Sequence, residues 1–232
     1  MSSATHNPIL VAIDTTDAEA ARATIGRVAP HVGGVKLGLE FFNCHGIEGV
    51  ARAAGTLPLF LDLKLHDIPN TVAGGVRAVA ALKPALLTIH AGGGLAMMKA
   101  AVEAARETSP LTKILAVTIL TSLDDGDLEA LGYRDPVEAQ VRRLAALAQQ
   151  AGVDGCVCSP KEVAALRRQC GVDFLLVVPG IRPAGVALGD QKRVMSPRNA
   201  VEAGASYLVI GRPITEASDP AAAAADILAS LA

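Results

Sequence analysis

Two acidic residues and a lysine stand close together in the segment LDLKLHD: Asp62, Lys64 and Asp67. If this segment is a strand, Asp62 and Lys64 project from one face and the alternating leucines project from the other. Neighbouring carboxylates favour the charged form of an ammonium group. Lys64 is therefore predicted to be a proton donor or an electrostatic stabiliser, and not the neutral amine that a Schiff-base aldolase needs.

The same segment allows two other interpretations. Asp62 and Asp67 would form a magnesium site if Lys64 pointed elsewhere, although two carboxylates without a histidine make only a weak one. Asp67 lies in the loop HDIPNT, residues 66–71, where its role could be to stabilise the loop. The spacing alone does not decide between these roles.

The elements that position these residues are short aliphatic runs, which alternate with Ala-rich segments of helical period such as residues 18–29 and 141–151. Eight runs have the composition of buried parallel strands: ILVAID (9–14), GVKLG (34–38), LFLDLK (59–64), LLTIH (86–90), ILAVTIL (114–120), VDGCVCS (153–159), FLLVVPG (174–180) and SYLVIG (206–211). Eight such units predict a TIM-type (β/α)8 barrel, an α/β fold in which residues 1–232 form a single domain.

Local signals support this division of the chain. Ser159 and Pro160, followed by Glu162, are typical of a helix start, and so is the Ser196–Pro197 pair. The one connection of surplus length is residues 121–137, where the DLEALG segment predicts a short additional helix.

Polar residues close most of the predicted strands. In a TIM barrel the catalytic groups lie at the C-terminal ends of the strands. The residues at or just after these ends are Asp14, Lys36, Asp62 with Lys64, His90, Thr121, Arg182, and Gly211 with Arg212. Any one charge could belong to a structural ion pair, but five charged strand ends at one mouth predict a functional site.

The last two units predict a phosphate site. Gly211 frees the backbone for close approach, and the Arg212 guanidinium can bind two phosphate oxygens. Arg182 ends the preceding strand, and the loops after strands seven and eight are the usual phosphate-binding loops of this fold. Residues 181–193 (IRPAGVALGDQKR) are Gly-rich and polar, as is typical of a lid over a ligand.

Composition argues against several classes of function. The 21 basic and 23 acidic residues are interspersed and give a net charge of −2, which disfavours nucleic-acid binding. No segment has the pattern of a secretion signal or a membrane span, so we expect a soluble, cytoplasmic protein. The four cysteines are expected to be reduced structural thiols, namely Cys44, Cys156, Cys158 and Cys170. Without a His/Cys cluster or a dinucleotide-binding motif, we expect neither a metal nor an organic cofactor.

The segment LDLKLHDIPNT, residues 61–71, resembles the signature of the orotidine 5'-monophosphate decarboxylase family, Asp-x-Lys-x-x-Asp followed by Ile-Pro-Asn-Thr. Other landmarks of that family follow in order: VAID with Asp14, VKLG with Lys36, ILTS with Thr121, PGIRP with Arg182, GDQKRVMSP with Gln191, and VIGRPI with Gly211 and Arg212. The resemblance extends from about Ile9 to the C-terminus, and no motif residue departs from the family pattern.

The resemblance implies a cofactor-free enzyme that converts orotidine 5'-monophosphate to UMP. It also implies a homodimer of barrels, in which Lys36, Asp62 and Lys64 of one subunit meet Asp67 of the other in a shared catalytic site. The substrate contacts it implies are those of Asp14 and Lys36 with the ribose, Asp62 near the substrate carboxylate, Thr121 with the pyrimidine, Arg182, Gln191, Gly211 and Arg212 with the phosphate, and Thr71 of the second subunit with the ribose.

Two competing functions differ from this one in identifiable features. A magnesium-dependent sugar-phosphate decarboxylase would have a similar barrel and Asp-x-Lys-x-x-Asp core, but residues 68–71 (IPNT) and Gln191 favour the orotidylate enzyme. A non-catalytic nucleotide-binding barrel would have little use for Lys64 between two carboxylates. His66 and His90 are predicted to be hydrogen-bonding scaffold residues and not acid or base catalysts.

Overall fold

The computed structural model describes residues 7–183 and 195–231, which contain a closed barrel of eight parallel strands. Each strand pairs with the next in sequence, and β8 pairs with β1. The strands are β1 (Ile9–Ile13), β2 (Gly34–Gly38), β3 (Leu59–Leu65), β4 (Leu86–His90), β5 (Lys113–Val117), β6 (Gly155–Val157), β7 (Leu175–Val178) and β8 (Tyr207–Ile210). The predicted TIM-type barrel is confirmed, and each strand overlaps one of the eight predicted runs.

At least one helix follows every strand. The helices are α1 (Ala18–Val28), α2 (Leu39–Ala54), α3 (Pro69–Val79), α4 (Gly94–Thr108), α5 (Asp125–Ala130), α6 (Val137–Gln150), α7 (Val163–Cys170), α8 (Pro197–Glu202), α9 (Arg212–Thr215) and α10 (Pro220–Ala229). The short helix predicted within residues 121–137 is α5, which begins two residues earlier than the DLEALG segment. Its N-cap is Asp124, whose side chain forms a capping box with Asp127.

The two predicted serine caps are confirmed. The Ser159 hydroxyl accepts a hydrogen bond from the Lys161 N–H, while the Glu162 carboxylate accepts one from the Ser159 N–H at 2.7 Å. This cap starts a 3-10 turn that leads into α7. The Ser196 hydroxyl caps α8 in the same way by accepting from the Asn199 N–H.

Two layers of buried apolar side chains stabilise the barrel. The larger layer lies between the strands and the surrounding helices and includes Leu61 and Leu63 of β3. A smaller layer fills the barrel interior and contains Leu10, Phe60, Leu86, Leu115, Val177 and Val209. Alternate residues of a strand point to opposite faces of the sheet, so each strand contributes to both layers.

Five strands, β1, β5, β6, β7 and β8, are shorter than their aliphatic runs. β5 ends at Val117, whereas its run extends to residue 120, and β6 covers only three residues of its seven-residue run. Ile119 and Leu120 leave the ladder and line the cavity at the barrel mouth. These residues are apolar because they form a wall of that cavity, and not because they continue the strand.

Candidate active site

A cavity of about 280 Å³ opens at the C-terminal end of the barrel. Six of its lining side chains carry charge: Asp14, Lys36, Asp62, Lys64, Arg182 and Arg212. Thr121 and Gly211 also line it. Eight of the residues that the sequence suggested for the site therefore surround one space, although they come from strands and loops far apart in the chain.

The carboxylate of Asp62 is the centre of an ion-pair network. Its Oδ2 lies 2.9 Å from the Lys64 Nζ and 3.8 Å from the Lys36 Nζ. The Lys36 Nζ also lies 3.2 Å from Oδ1 of Asp14. Charges therefore alternate across the floor and side of the cavity as lysine, aspartate, lysine, aspartate.

Burial differs among these four side chains. The side chains of Lys36 and Asp62 are only 11% and 13% exposed, while those of Lys64 and Asp14 are 33% and 64% exposed. A charge with little access to water depends on its partners. Lys36 and Asp62 thus form the fixed base of the network, and the Lys64 ammonium reaches up to the space that a ligand would occupy.

The predicted proximity of Asp62 and Lys64 is confirmed, but its geometry is not that of a regular strand. Lys64 has φ of 50°, in the left-handed region, and the pairing of β3 with β4 shifts register between Leu61 and Leu65. A non-glycine residue in this conformation costs roughly 1–2 kcal/mol. Strain at a residue that lines a cavity is typical of functional sites.

Thr88 is a site residue that sequence reasoning missed. It lies in the middle of β4 and is fully buried. Its hydroxyl accepts a hydrogen bond from the Lys64 N–H at 2.9 Å and donates one to Oδ1 of Asp62 at 2.9 Å. The available signal was a hydroxyl two residues before His90 in an otherwise aliphatic run, which places it on the inward face of the strand.

One wall of the cavity is apolar. Its side chains come from several strands and from the loop after β5, and include Phe60, Val117, Ile119, Val157 and Val209. Thr121 lies at the edge of this wall and is partly exposed. The arrangement suits a flat, largely apolar ring with a few polar atoms on its rim.

Two arginines form the opposite, cationic end. Burial lowers the pKa of the Arg182 guanidinium from its ordinary value, and the positive charge of Arg212 lowers it further, while Glu216 acts in the opposite direction. Both guanidinium groups line the cavity, so two positive charges face the same space. Such a pair is stabilised by an anion bound between them, and guanidinium groups suit phosphate oxygens.

The remaining predicted contacts lie elsewhere. Asp67 and Thr71 are exposed and are not among the residues that line the cavity. The Asp67 carboxylate accepts a hydrogen bond from the Ile68 N–H at 2.6 Å, which is a loop-stabilising contact. Gln191 and most of the predicted lid, namely residues 184–193, lie outside the described residues.

The two histidines near the mouth pack against each other. The rings of His66 and His90 stack with centroids 4.9 Å apart. Nδ1 of His90 accepts a hydrogen bond from the Gly92 N–H, and burial, together with the nearby charges of His66 and Lys64, lowers the pKa of His90. A neutral ring that caps the next turn fits the predicted scaffold role.

Within residues 7–183 and 195–231, no group of three or more His, Cys, Asp or Glu side chains is arranged to hold a metal ion. Across the same part of the chain, no helix is long and apolar enough to cross a membrane.

All four cysteines have free thiols, and three of them are buried. A hydrogen bond with Cys156, together with burial, raises the pKa of the Cys158 thiol, which makes it unreactive.

Comparison with known proteins places the chain in a family. The family model described as orotidine 5'-phosphate decarboxylase / HUMPS family matches residues 7–227. A protein of Rhodospirillum rubrum named orotidine 5'-phosphate decarboxylase is 56% identical over 231 residues, which cover 97% of this chain and 94% of that protein. One of the same name from Thermobifida fusca is 55% identical, with 97% and 95% covered. The crystal structure of orotidine 5'-phosphate decarboxylase from Lactobacillus acidophilus superposes with a TM-score of 0.87 at 40% identity, over 97% of this chain and 99% of that one. The chain therefore belongs to the orotidine 5'-phosphate decarboxylase / HUMPS family.

Proposed function

We propose that this protein decarboxylates orotidine 5'-monophosphate to UMP without a metal or an organic cofactor, and that Lys64 is the cationic catalytic residue. The observation that carries the mechanism is the position of the Lys64 ammonium, 2.9 Å from Oδ2 of Asp62 in a cavity whose far end holds Arg182 and Arg212. A nucleotide that places its phosphate at the arginines would direct its base towards the apolar wall and the lysine.

The binding residues divide according to the parts of the substrate. Arg182 and Arg212 would bind the phosphate, with the Gly211 backbone beside it and Gln191 as a further contact. Asp14 and Lys36, which are 3.2 Å apart, would hold the ribose hydroxyls. Thr121 would contact the pyrimidine at the edge of the apolar wall.

The reaction breaks the bond between C6 of the pyrimidine and its carboxylate carbon. The electron pair of that bond stays on C6 as CO2 leaves, and a proton from the Lys64 ammonium then forms the new C–H bond. Lys64 recovers its proton from water after the product departs. A fixed ammonium beside C6 stabilises the negative charge as it develops, which is the form of catalysis that contributes most in many enzymes.

Asp62 has two roles in this mechanism. It holds Lys64 and Lys36 in place through its Oδ2. It would also lie near the substrate carboxylate and repel it, a repulsion that disappears when neutral CO2 is formed. We assign the larger share of the rate to the ammonium, because its attraction grows with the negative charge that develops on C6.

The phosphate group does not react, but its binding energy can assemble the site. Closure of residues 181–193 over the phosphate would exclude water and fix the base beside Lys64. Arg182 and Arg212 both line the cavity, so an anion bound between them would interact with two positive charges. This is how a remote group can raise the rate at C6.

We further propose a homodimer in which Asp67 and Thr71 of a second copy complete the site. In a single chain both are exposed and lie outside the cavity, although they follow Lys64 within seven residues. Ile68 between them is 66% exposed, and Leu39, the first residue of α2, is 48% exposed. Apolar side chains next to a polar site are typical of a protein interface.

We also propose a cytoplasmic location. The three buried free thiols are consistent with a reducing compartment.

The decisive experiment for the function follows orotidylate absorbance in the presence of excess EDTA. The parent protein should consume the substrate at a rate that EDTA does not change. No loss of orotidylate by the folded protein would overturn the proposed activity. Activity that disappears with EDTA and returns with magnesium would contradict metal independence and favour a metal-dependent decarboxylase.

The dimer has a separate test. Lys64→Ala and Asp67→Ala proteins should each be inactive, and mixing them should restore activity, because a mixed dimer contains one site that carries neither substitution. Subunit exchange is verified with differently tagged copies. Exchange without recovery of activity would show that Asp67 does not act across an interface.

A further inference from the structure

The hydroxyl of Thr88 connects the backbone of one proposed catalytic residue to the carboxylate of another. It accepts from the Lys64 N–H and donates to Oδ1 of Asp62, both at 2.9 Å. Oδ2 of the same carboxylate receives the Lys64 ammonium at 2.9 Å. The Thr88 hydroxyl, the Asp62 carboxylate and the two ends of Lys64 therefore form a closed ring of hydrogen bonds.

The first link of the ring holds a strained backbone. Lys64 has a φ of 50°, at the place where the β3–β4 ladder shifts register. The Lys64 N–H bonds to the Thr88 side chain instead of a strand carbonyl. Without this hydroxyl the Lys64 N–H would lose its acceptor, so the Thr88 side chain stabilises the irregular backbone.

The second link fixes the rotation of the Asp62 carboxylate. With Oδ1 bound to the hydroxyl, Oδ2 faces the ammonium groups of Lys64 and Lys36, at 2.9 and 3.8 Å. A carboxylate free to rotate would not keep the Lys64 ammonium in one place. Thr88 itself is completely buried and does not line the cavity, so it acts on these residues and not on the substrate.

We propose that Thr88 is a positioning residue for the decarboxylation, and that its hydroxyl sets the direction of the Lys64 ammonium through the Lys64 backbone and the Asp62 carboxylate. The proposal rests on the proposed function, because it concerns the rate of that reaction. It assigns a task to the hydroxyl alone: the group must accept one hydrogen bond and donate another. Serine can do both, whereas valine, which has nearly the same shape as threonine, can do neither.

The test compares Thr88→Val and Thr88→Ser with the parent. Loss of the hydroxyl should lower kcat by about 10- to 100-fold, the effect of losing a hydrogen bond to a charged group. The dissociation constant of UMP should change by less than about 3-fold, because the phosphate and ribose contacts remain. Thr88→Ser should keep kcat within about 3-fold of the parent, since it retains both bonds.

Thr112 supplies the matched control. It is also buried, and its hydroxyl also makes two hydrogen bonds, to the Pro84 carbonyl and the Ser109 hydroxyl, but it lies at the opposite end of the barrel. Thr112→Val should lower the melting temperature and leave kcat unchanged. A fall in kcat confined to Thr88→Val then reports positioning and not a general loss of stability.

Several outcomes would overturn the proposal. One is a folded Thr88→Val protein with kcat near the parent value. Another is an equal loss of kcat and UMP affinity, or a Thr88→Ser protein as impaired as Thr88→Val. If Thr88→Val does not fold, Thr88→Cys is measured in its place, because a thiol is a weak donor and acceptor. If neither folds, the hydroxyl serves the barrel itself and the proposal is wrong. An inactive parent would instead contradict the proposed function.

Discussion

The two ends of the barrel interior differ in composition: one is apolar and the other is lined by charged side chains. At the N-terminal end, Leu10, Leu86 and Leu115 contribute to a small apolar layer that excludes water. At the C-terminal end, two lysines, two aspartates and two arginines line a cavity. Phe60 and Asp62 stand only two residues apart on β3, yet the first belongs to the apolar layer and the second to the ion-pair network.

The apolar layer stabilises the folded protein, whereas the mouth of the barrel contains features that lower its stability. Burial of the apolar layer stabilises the folded state, and this layer requires only that its volume be filled. The mouth instead holds a residue in left-handed conformation, two lysines around one aspartate, and two arginines that line the same cavity. Substitutions at the two ends should therefore separate activity from stability.

The largest effect is expected for Lys64→Ala. Loss of both the proton donor and the stabilising charge should lower kcat by several powers of ten. Each power of ten corresponds to about 1.4 kcal/mol in the activation free energy. The free energy of unfolding should change by less than about 1 kcal/mol, since the lysine is partly exposed. Steady-state rates and chemical denaturation measure the two quantities.

Lys83 is the matched control for Lys64. It has the same side chain and also a left-handed backbone, with φ of 46°, but it lies remote from the mouth, between α3 and β4. Lys83→Ala should retain the parent kcat. A folded Lys64→Ala protein that kept kcat within about tenfold of the parent would contradict the role assigned to the ammonium.

The next effect is expected for Arg212→Ala. Removal of one guanidinium from the cationic end should lower kcat/KM for the nucleotide by about 100- to 1,000-fold, as expected for a desolvated charge pair with phosphate. The rate with orotidine, which lacks the phosphate, should be the same for parent and variant. Arg27, which pairs with Asp219 on the surface, provides the control substitution Arg27→Ala. A parent enzyme that processed orotidine as well as the nucleotide would disprove the use of phosphate binding energy.

A substitution in the apolar layer should have the opposite profile. Leu10 is 2% exposed and does not line the cavity. Leu10→Ala should lower the free energy of unfolding by about 2–4 kcal/mol because it leaves a space in the core. Measured well below the melting temperature, kcat should remain within about twofold of the parent. A large loss of kcat in the folded variant would show that the two ends of the barrel are not independent.

The smallest effect concerns pH and His90, at the rim of the mouth. Its pKa is lowered in the folded state, so at mildly acidic pH the unfolded chain takes up a proton that the folded protein resists. This contribution to stability is complete above the ordinary histidine pKa of 6.5 and is lost as pH falls below it. His90→Asn keeps an oxygen that can accept from the Gly92 N–H and removes the titration.

The free energy of unfolding should therefore fall more steeply between pH 7 and pH 5 in the parent than in His90→Asn. The difference should stay below about 1 kcal/mol, because solvent reaches part of the ring and screens it. Denaturation curves at several pH values measure it. Equal slopes, or a steeper slope for the variant, would show that His90 does not titrate in this way.

Most of the fold was accessible to sequence reasoning. Aliphatic runs of five to seven residues separated by helical segments have few other arrangements, and the charged strand ends indicated which end of the barrel carries the site. The proximity of Asp62 and Lys64 was also predicted, but for an incomplete reason. Their side chains meet across an irregular strand, and the long lysine side chain compensates for the left-handed backbone.

Thr88 illustrates what a strand pattern conceals. In LLTIH, a threonine is an ordinary strand residue, because its β-branched side chain suits a sheet. Nothing local indicates that its hydroxyl bonds to two residues of the neighbouring strand, more than twenty positions earlier. The end of β5 was likewise placed too late, since a hydrophobic cavity wall and a strand give the same aliphatic pattern.

The sequence by itself determined which residue types were available and the order of the eight units, because hydrophobic period and polar strand ends are local properties of the chain. The tertiary structure decided which of those residues meet. It brought eight predicted site residues around one cavity and left Asp67 and Thr71 exposed outside it. It also placed the buried Thr88 hydroxyl against Asp62 and Lys64. Such contacts depend on barrel closure and strand register, which are set by the packing of the whole chain and not by any one segment.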